Sequence, residues 1–313
     1  MSSALLLSLV LLAAFGLGTL LLSALVALAW RAGLARIRAT AADLLALRLL
    51  PPAGALLIAL TVVLPAFLSF EPRREDEGAG PVLILLAALA IGALAGGLVR
   101  GWRAVRAARA LLECCRPEPT IADAGEGMVV HLADSAHPLV ALIGAWRPRI
   151  VATESVRAAC SRAEFQAVLA HEAAHRAARD NLKLLLLIGA PDALALTPLA
   201  AALTERWRSA AEYAADQRAT GGNRARRLAL ASALIKVARL VRSRGTPPAA
   251  LEMSVAVDDV PGRVRALLAP PARPVRARIL AALAAGLALV PLLALPRYAQ
   301  LHELIEQLVG LGR

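Results

Sequence analysis

The chain has 313 residues, of which 58% are hydrophobic and only 19% are charged. Soluble domains are about 45–50% apolar and about 25% charged, so this composition excludes an ordinary soluble protein. The formal net charge of +12 would suit nucleic acid, but the basic residues are almost all arginines beside apolar blocks, and no nucleic-acid-binding motif occurs. We therefore expect a membrane protein with no direct nucleic-acid binding.

Four apolar segments predict transmembrane helices. The first has no charged residue, exceeds the roughly 20 residues that cross a bilayer, and lacks the basic start of a signal peptide. The second contains three prolines, which kink a membrane helix more readily than they forbid it. The fold class is accordingly a mainly α-helical membrane protein with about four transmembrane helices, at residues 4–29, 49–70, 80–99 and 279–295.

The charges between these segments predict one orientation in the cell membrane. The first loop carries four arginines against one aspartate, and the second carries four acidic residues against two arginines. By the positive-inside rule the N-terminus lies outside and the long third loop is cytoplasmic. The expected organisation is a membrane domain over 1–107, a cytoplasmic domain over 108–277 inserted between the third and fourth helices, and the fourth helix with a short outside tail over 278–313.

The cytoplasmic segment begins with short apolar runs, broken by Gly, Pro and Asp, that predict strands over 128–132, 138–143 and 149–152. Ser161 and Glu164 then form the pattern of a capping box, in which each side chain satisfies the other's backbone N–H. A helix is predicted to follow over 162–179. The cytoplasmic domain is therefore expected to be α+β.

That helix carries the string His171-Glu172-Ala173-Ala174-His175. Residues four apart share one helix face, so both imidazoles can bind one zinc ion at about 2.0–2.1 Å. Glu172 lies near the ion without having to bind it, where it can accept a proton from water as general base. The alternative is a surface helix with two unrelated histidines, which the capped, amphipathic context disfavours.

A catalytic zinc with two histidine ligands needs a third protein ligand. Glu212-Tyr213-Ala214-Ala215-Asp216 lies on a second predicted helix, over about 203–219, which ends at a pair of glycines. Glu212 is the predicted third ligand. Asp216, on the same face, is predicted to hydrogen-bond the far nitrogen of a ligating histidine. The alternative for both is an ordinary solvated charge pair.

An apolar stretch over 182–203 separates the two motif helices. Both helices must lie on one side of the membrane to share an ion, and the stretch is too short to cross twice at about 20 residues per crossing. Pro191 and Pro198 interrupt it. It predicts a hairpin that dips into the bilayer or packs against the transmembrane helices.

With these residues in view, the chain resembles the BlaR/MecR membrane metallopeptidases of bacteria over about residues 120–222. The resemblance rests on Trp146-Arg147-Pro148-Arg149-Ile150, on the H-E-A-A-H helix continuing into Arg179-Asp180-Asn181, on the apolar hairpin, and on E-Y-A-A-D. It implies a gluzincin protease with one zinc per chain on His171, His175 and Glu212, and with Glu172 as general base. It also implies a cytoplasmic protein substrate, often a winged-helix repressor of the BlaI type.

The sequence leaves the input signal and the choice between related functions open. The 313 residues include no extracellular penicillin-binding sensor domain of the kind that the best-known members carry, so the input signal is unknown. The two short motifs are shared with HtpX-like quality-control proteases, which are the first alternative; a non-catalytic membrane signalling protein is the second. A channel or transporter is disfavoured because none of the four predicted spans contains an ionisable residue.

Substrate binding is expected along an edge of the sheet, main chain to main chain. No residue is singled out as the group that stabilises the transition-state oxyanion. The candidates are Tyr213, His137 and His131.

Overall fold

The computed structural model describes residues 2–70, 79–115, 118–120, 129–133, 138–243, 259–269 and 278–294, together with residues 300, 303 and 307. The chain is mostly helical and forms two compact units. The first comprises Met1–Arg100, Leu186–Thr204 and Val275–Arg313. The second comprises Gly101–Leu185 and Glu205–Pro274. The domain boundaries given above from the sequence stay predictions.

In the part of the chain that the structure describes, three helices are long and apolar enough to cross a membrane: α1 (Ser3–Arg31), the helical run Ala41–Ser69, and α4 (Pro81–Cys115). The middle run consists of α2 (Ala41–Ile58), one π-helical turn and α3 (Leu64–Phe70). The fourth predicted span forms the later helix α11 (Arg278–Ala294), whose apolar part is shorter. Three of the four predicted spans therefore meet the length requirement, and the fourth stays a prediction.

The second of these helices begins at Ala41 and not at residue 49. Thr40 and Asp43 form a capping box that starts it earlier. Arg48 consequently lies inside the helix, where its side chain is buried and pairs with Asp192. The helix therefore begins before the predicted span of 49–70 and carries a buried ionisable residue next to that span.

Asp192 belongs to the apolar stretch between the motif helices. Within the first unit this stretch contains the end of α7 (Asp180–Gly189), a 3₁₀ turn (Ala193–Leu196) and the start of α8 (Pro198–Thr220). Arg100 of α4 donates to the carbonyls of Ile188 and Ala190 at 2.9 and 2.8 Å. The stretch thus packs against helices of the first unit.

The second unit contains a four-stranded sheet with strand order β1-β2-β4-β3. The strands are β1 (Glu118–Thr120), β2 (Val130–Ala133), β3 (Val140–Ile143) and β4 (Arg149–Thr153). β2 and β4 are parallel, whereas β1–β2 and β3–β4 are antiparallel. The three predicted strands correspond to β2, β3 and β4. β1 was not predicted, because Glu-Pro-Thr has no strand pattern. Among the described residues, β3 forms one edge of the sheet.

Among the described residues, the helices of this unit are the end of α4, α5 (Glu154–Ala159), α6 (Arg162–Ala178), parts of α7 and α8, α9 (Arg224–Ser243) and α10 (Val260–Leu268). The predicted capping box at Ser161 and Glu164 is present at the start of α6. α6 ends at Arg179, which has a left-handed backbone with φ 55°. Local capping interactions therefore determine where the helix starts and where it ends.

α6 is buried on two sides, and this packing fixes the position of the motif. Leu169, with no exposed surface, packs on the sheet against Val130, Leu142 and Ile150. On its other side Val168 packs with α9 and α10. Burying one such leucine contributes about 1.5–3 kcal/mol, so the helix has little freedom to shift.

Candidate metal centre

α6 places His171 and His175 side by side on one face, with their Nε2 atoms 3.1 Å apart. Glu212 of α8 reaches both rings. Its Oε2 lies 3.3 Å from Nε2 of His171, and its Oε1 lies 3.3 Å from Nε2 of His175. Among the described residues these three form the group that can hold a metal ion. The sequence-predicted ligands are thus brought together.

The size of this triangle can be compared with what a metal requires. Ligand atoms that bind a tetrahedral ion at about 2.0–2.1 Å lie about 3.3–3.4 Å from one another. The two Nε2 atoms are 3.1 Å apart, and each lies 3.3 Å from a different oxygen of Glu212. One ligand atom from each residue can be chosen so that all three lie within 4.8 Å of one another. Two imidazoles and one carboxylate also form the donor set of catalytic sites that keep a fourth position open. The residues present therefore fit one divalent ion.

Each histidine has a carboxylate at its far nitrogen. Oδ2 of Asp180 lies 2.9 Å from Nδ1 of His175 in an aligned hydrogen bond. Oδ1 of Asp216 lies 2.9 Å from Nδ1 of His171 as an ion-pair contact without hydrogen-bond alignment. Such partners fix the ring and leave Nε2 directed at the ion. Asp216 was expected in this place; Asp180 was not.

The sequence does not predict the role of Asp180, and the reason is physical. Helical periodicity relates His175 to residues three or four positions away, and Asp180 is five positions on. It reaches the ring only because α6 ends and the left-handed residue Arg179 turns the chain back. The only sequence signal was its place in the string Arg179-Asp180-Asn181.

Arg263 of α10 is a second residue that the sequence did not reveal. Its guanidinium is buried and contacts Asp216 through Nε and Nη2, and Glu212 through Nη1. Nothing in the sequence separates it from the many other arginines of the chain. Its role depends on how α10 packs, which no local pattern specifies.

The pKa values reflect an excess of negative charge. Burial alone would lower the pKa of His175, but Asp180 and Glu212 outweigh it and raise that pKa to about 10. His171 has a raised pKa for the same reason, because Asp216 and Glu212 outweigh its burial. Burial would raise the pKa of Glu212, but the two imidazoles hold it well below its usual range. The site therefore favours a bound cation.

Glu172 is buried next to this group, at the free edge of β3. Burial raises its pKa more than the two neighbouring imidazoles lower it, which strengthens it as a proton acceptor. The backbone of Leu142 hydrogen-bonds to its carboxylate. Nδ2 of Asn181 donates to the carbonyls of Leu142 and Gly144 at 2.7 and 2.8 Å. The predicted general base therefore lies between the ligand helix and an edge strand.

Of the three candidate oxyanion residues, the structure describes Tyr213 and His131. The hydroxyl of Tyr213 donates to Asp259 at 2.5 Å. His131 lies between Val130 and Leu132, which face α6, so strand alternation places it on the opposite face of the sheet. His137 lies outside the described residues.

Comparison with known proteins gives one match. No curated protein and no solved structure matches the chain. A protein-family model described as BlaR1 peptidase M56 matches residues 18–267, which contain every residue of the metal centre described above. This span is most of the chain and agrees with the resemblance drawn from the motifs. The chain therefore belongs to the BlaR1 peptidase M56 family of membrane-associated metallopeptidases.

Proposed function

We propose that this chain is a membrane-bound zinc endopeptidase that cleaves a cytoplasmic protein, and that this protein is a winged-helix repressor of the BlaI type. The observation that carries the proposal is the convergence of His171, His175 and Glu212 within 3.3 Å, with Glu172 buried beside them. The choice of zinc rests on this donor set. The choice of repressor rests on the family.

The zinc ion and the protein side chains have different roles in the proposed hydrolysis. When bound, zinc supplies Lewis-acid polarisation of a water molecule and of the scissile carbonyl. Glu172 accepts the proton of that water and passes it to the leaving amine. Asp180 and Asp216 hold the two imidazoles in the orientation that binding requires. The buried sheet and helix around Glu172 limit the access of other water.

The substrate backbone is proposed to pair with β3. In the β3–β4 ladder Leu139 pairs with Thr153, so Val140, Leu142 and Gly144 direct their backbone groups outward. Asn181 occupies the carbonyls of Leu142 and Gly144. Val140 therefore offers outward backbone groups that an added strand can use.

Repressor cleavage can be tested against the quality-control alternative. Full-length protein in detergent is incubated with a purified BlaI-type repressor and, separately, with an unfolded membrane protein. We expect one discrete cut in the folded repressor, and loss of that cut when a chelator is added. Degradation of the unfolded protein at many positions, with the repressor left intact, would instead favour the HtpX-like function.

The proposed orientation is N-terminus outside and second unit in the cytoplasm. Arg176 and Glu205 are exposed residues on the two sides of the apolar stretch. In a background without native cysteines, Arg176→Cys and Glu205→Cys should both react with an impermeant thiol reagent from the cytoplasmic side only. Labelling from opposite sides would mean that the stretch crosses the membrane, so that Glu212 and His171 cannot share an ion.

A further inference from the structure

The guanidinium of Arg263 contacts both carboxylates of α8, those of Glu212 and Asp216. Nε and Nη2 bind the two oxygens of Asp216 at 2.8 and 2.7 Å, as a fork. Nη1 lies 2.7 Å from Oε2 of Glu212, and Nη2 lies 3.5 Å from Nε2 of His171. The side chain is 6% exposed. A buried arginine in such contacts is held in one position, because each of its N–H groups has a fixed direction.

The helix that carries Arg263 is anchored at both ends. Asp259 caps its start, accepting from the backbone of Gly262 at 3.0 Å and from the hydroxyl of Tyr213 at 2.5 Å. At its other end Arg227 of α9 donates to the carbonyls of Leu267, at 2.7 Å, and of Ala269. Leu267 itself is buried among side chains of α6 and α9. The position of Arg263 is therefore set by α10 as a whole.

Both carboxylates share their oxygens between Arg263 and the histidines. Oδ1 of Asp216 contacts Nη2 of Arg263 and Nδ1 of His171. Oε2 of Glu212 contacts Nη1 of Arg263, whereas Oε1 is directed at Nε2 of His175. A carboxylate held by one oxygen cannot rotate freely about its last bond. The arginine therefore leaves Oε1 of Glu212 as the oxygen free for an ion.

We propose that Arg263 is a positioning residue of the metal centre, which locks Glu212 and Asp216 in a single arrangement through the planar fork of its guanidinium. The inference rests on the proposed function, because it takes the group to be a metal site. It means that α10, which lies more than 40 residues beyond the ligand Glu212 in the sequence, fixes the geometry of the metal centre. Charge alone does not suffice, since lysine cannot bind two carboxylates in a fixed plane.

The test compares Arg263→Lys and Arg263→Gln with the unaltered full-length protein in detergent. Zinc affinity is measured by competition with a chelator, and cobalt(II) loaded in place of zinc reports the coordination geometry through its visible absorption. We expect both variants to bind zinc about 10–100-fold more weakly, the usual effect of losing an outer partner of a ligand. Both should also show an altered cobalt spectrum.

Arg157→Gln is the matched control, because Arg157 is an arginine of the same unit that pairs with the exposed Glu154 in the described contacts. It should leave zinc affinity and the cobalt spectrum unchanged. If Arg263→Lys keeps the zinc affinity and cobalt spectrum of the unaltered protein, a positive charge at this position is sufficient for the metal centre. That result would overturn the inference, because the planar fork of the guanidinium would not be needed.

The double variant Arg263→Gln/Asp216→Asn keeps the test valid if a single Arg263 variant does not fold. Removing Arg263 and Asp216 together leaves one buried carboxylate fewer without its arginine than Arg263→Gln does, so this protein should fold where that single variant does not. We expect it to fold and still to bind zinc weakly; full zinc affinity in it would show that Arg263 serves only the fold. If the unaltered protein binds no metal, the proposed function itself fails, which is a different outcome.

Discussion

Both compact units bury charged side chains, but they balance them differently. In the first unit Arg48 and Asp192 form a pair of one cation and one anion, 1% and 3% exposed. In the second unit the described residues place the carboxylates of Glu172, Glu212, Asp216 and Asp180 around two imidazoles, with Arg263 as the buried basic side chain among them. The Arg48–Asp192 pair has no net charge, whereas the cluster in the second unit has more carboxylates than arginines.

The difference separates a structural ion pair from a binding site. The Arg48–Asp192 pair is complete by itself, and Asp192 also caps the 3₁₀ turn through the backbone of Ala195. The carboxylates of the second unit are complete only when a cation is added, and this imbalance raises the pKa of His175 to about 10. Substitutions at the pair and at the cluster should therefore change different quantities: stability at the pair, and metal binding or chemistry at the cluster.

The largest effect is expected for Glu172→Gln. The amide has nearly the same shape but cannot accept a proton, so the cleavage rate should fall by about 10²–10⁴-fold, the usual contribution of a general base. The metal content should not change, because Glu172 is not among the three ligands. Cleavage assays and metal analysis on the same preparation check both statements. An undiminished rate would remove Glu172 from the mechanism.

The next effect concerns the balanced pair of the first unit. Arg48→Met or Asp192→Asn alone leaves an unpaired group in a buried site, which costs about 3–5 kcal/mol when a charge is stranded. The double variant Arg48→Met/Asp192→Asn should be less destabilised than either single variant. Unfolding of the purified protein in detergent measures all three. A loss of bound metal in these variants, with stability unchanged, would contradict the separation between the units.

A smaller effect is expected at the carboxylates behind the histidines. Asp180→Asn and Asp216→Asn should each weaken zinc binding by about 10–100-fold, because each ligating ring loses the partner that orients it. Glu154→Gln is the control, since Glu154 is an exposed carboxylate that pairs only with its neighbour Arg157 in the described contacts. Chelator competition gives the affinities. Equal zinc affinity in all three variants would show that the rings hold their orientation without help.

The smallest effect is expected at Glu164, at the opposite end of the helix that carries Glu172. Lys236, then Ser232, lower the pKa of Glu164 to about 2 from its usual 4.5. Because the pKa is depressed in the folded protein, the stabilisation is present above pH 4.5 and is lost as the pH falls towards 2. Glu164→Gln should cost up to about 1 kcal/mol, because glutamine keeps the capping box but loses the ion pair with Lys236.

That variant should also be less sensitive to acid between those two pH values, with zinc binding at neutral pH unchanged. Denaturant unfolding at a series of pH values measures this. A parallel pH dependence in the unaltered protein and the variant would mean that Glu164 does not contribute.

The parts of the site that the sequence predicts are those set by local chemistry. His171 and His175 share a face because of helical periodicity, and Ser161 and Glu164 start that helix through a contact three residues apart. Glu212 follows from the rule that a zinc with two histidine ligands needs a third protein ligand. These statements need no knowledge of how distant elements pack.

The parts that the sequence misses depend on tertiary contacts. Arg48 is expected to end a loop because it is charged, yet it lies inside a helix because Asp192, 144 residues away, neutralises it. Arg263 acquires its contacts only when α10 docks on α9. His131 has the chemistry of a site residue, but the sheet face that meets α6 is the other one.

The measurement that tests the account most directly is the metal content of the purified protein, determined by elemental analysis. The unaltered chain should hold about one zinc ion, and His171→Ala/His175→Ala should hold none, because Glu212 alone cannot retain the ion. Glu172→Gln, prepared in parallel, should hold as much zinc as the unaltered chain. Full zinc occupancy in the double histidine variant would contradict the account, since the ion would then lie at some other group.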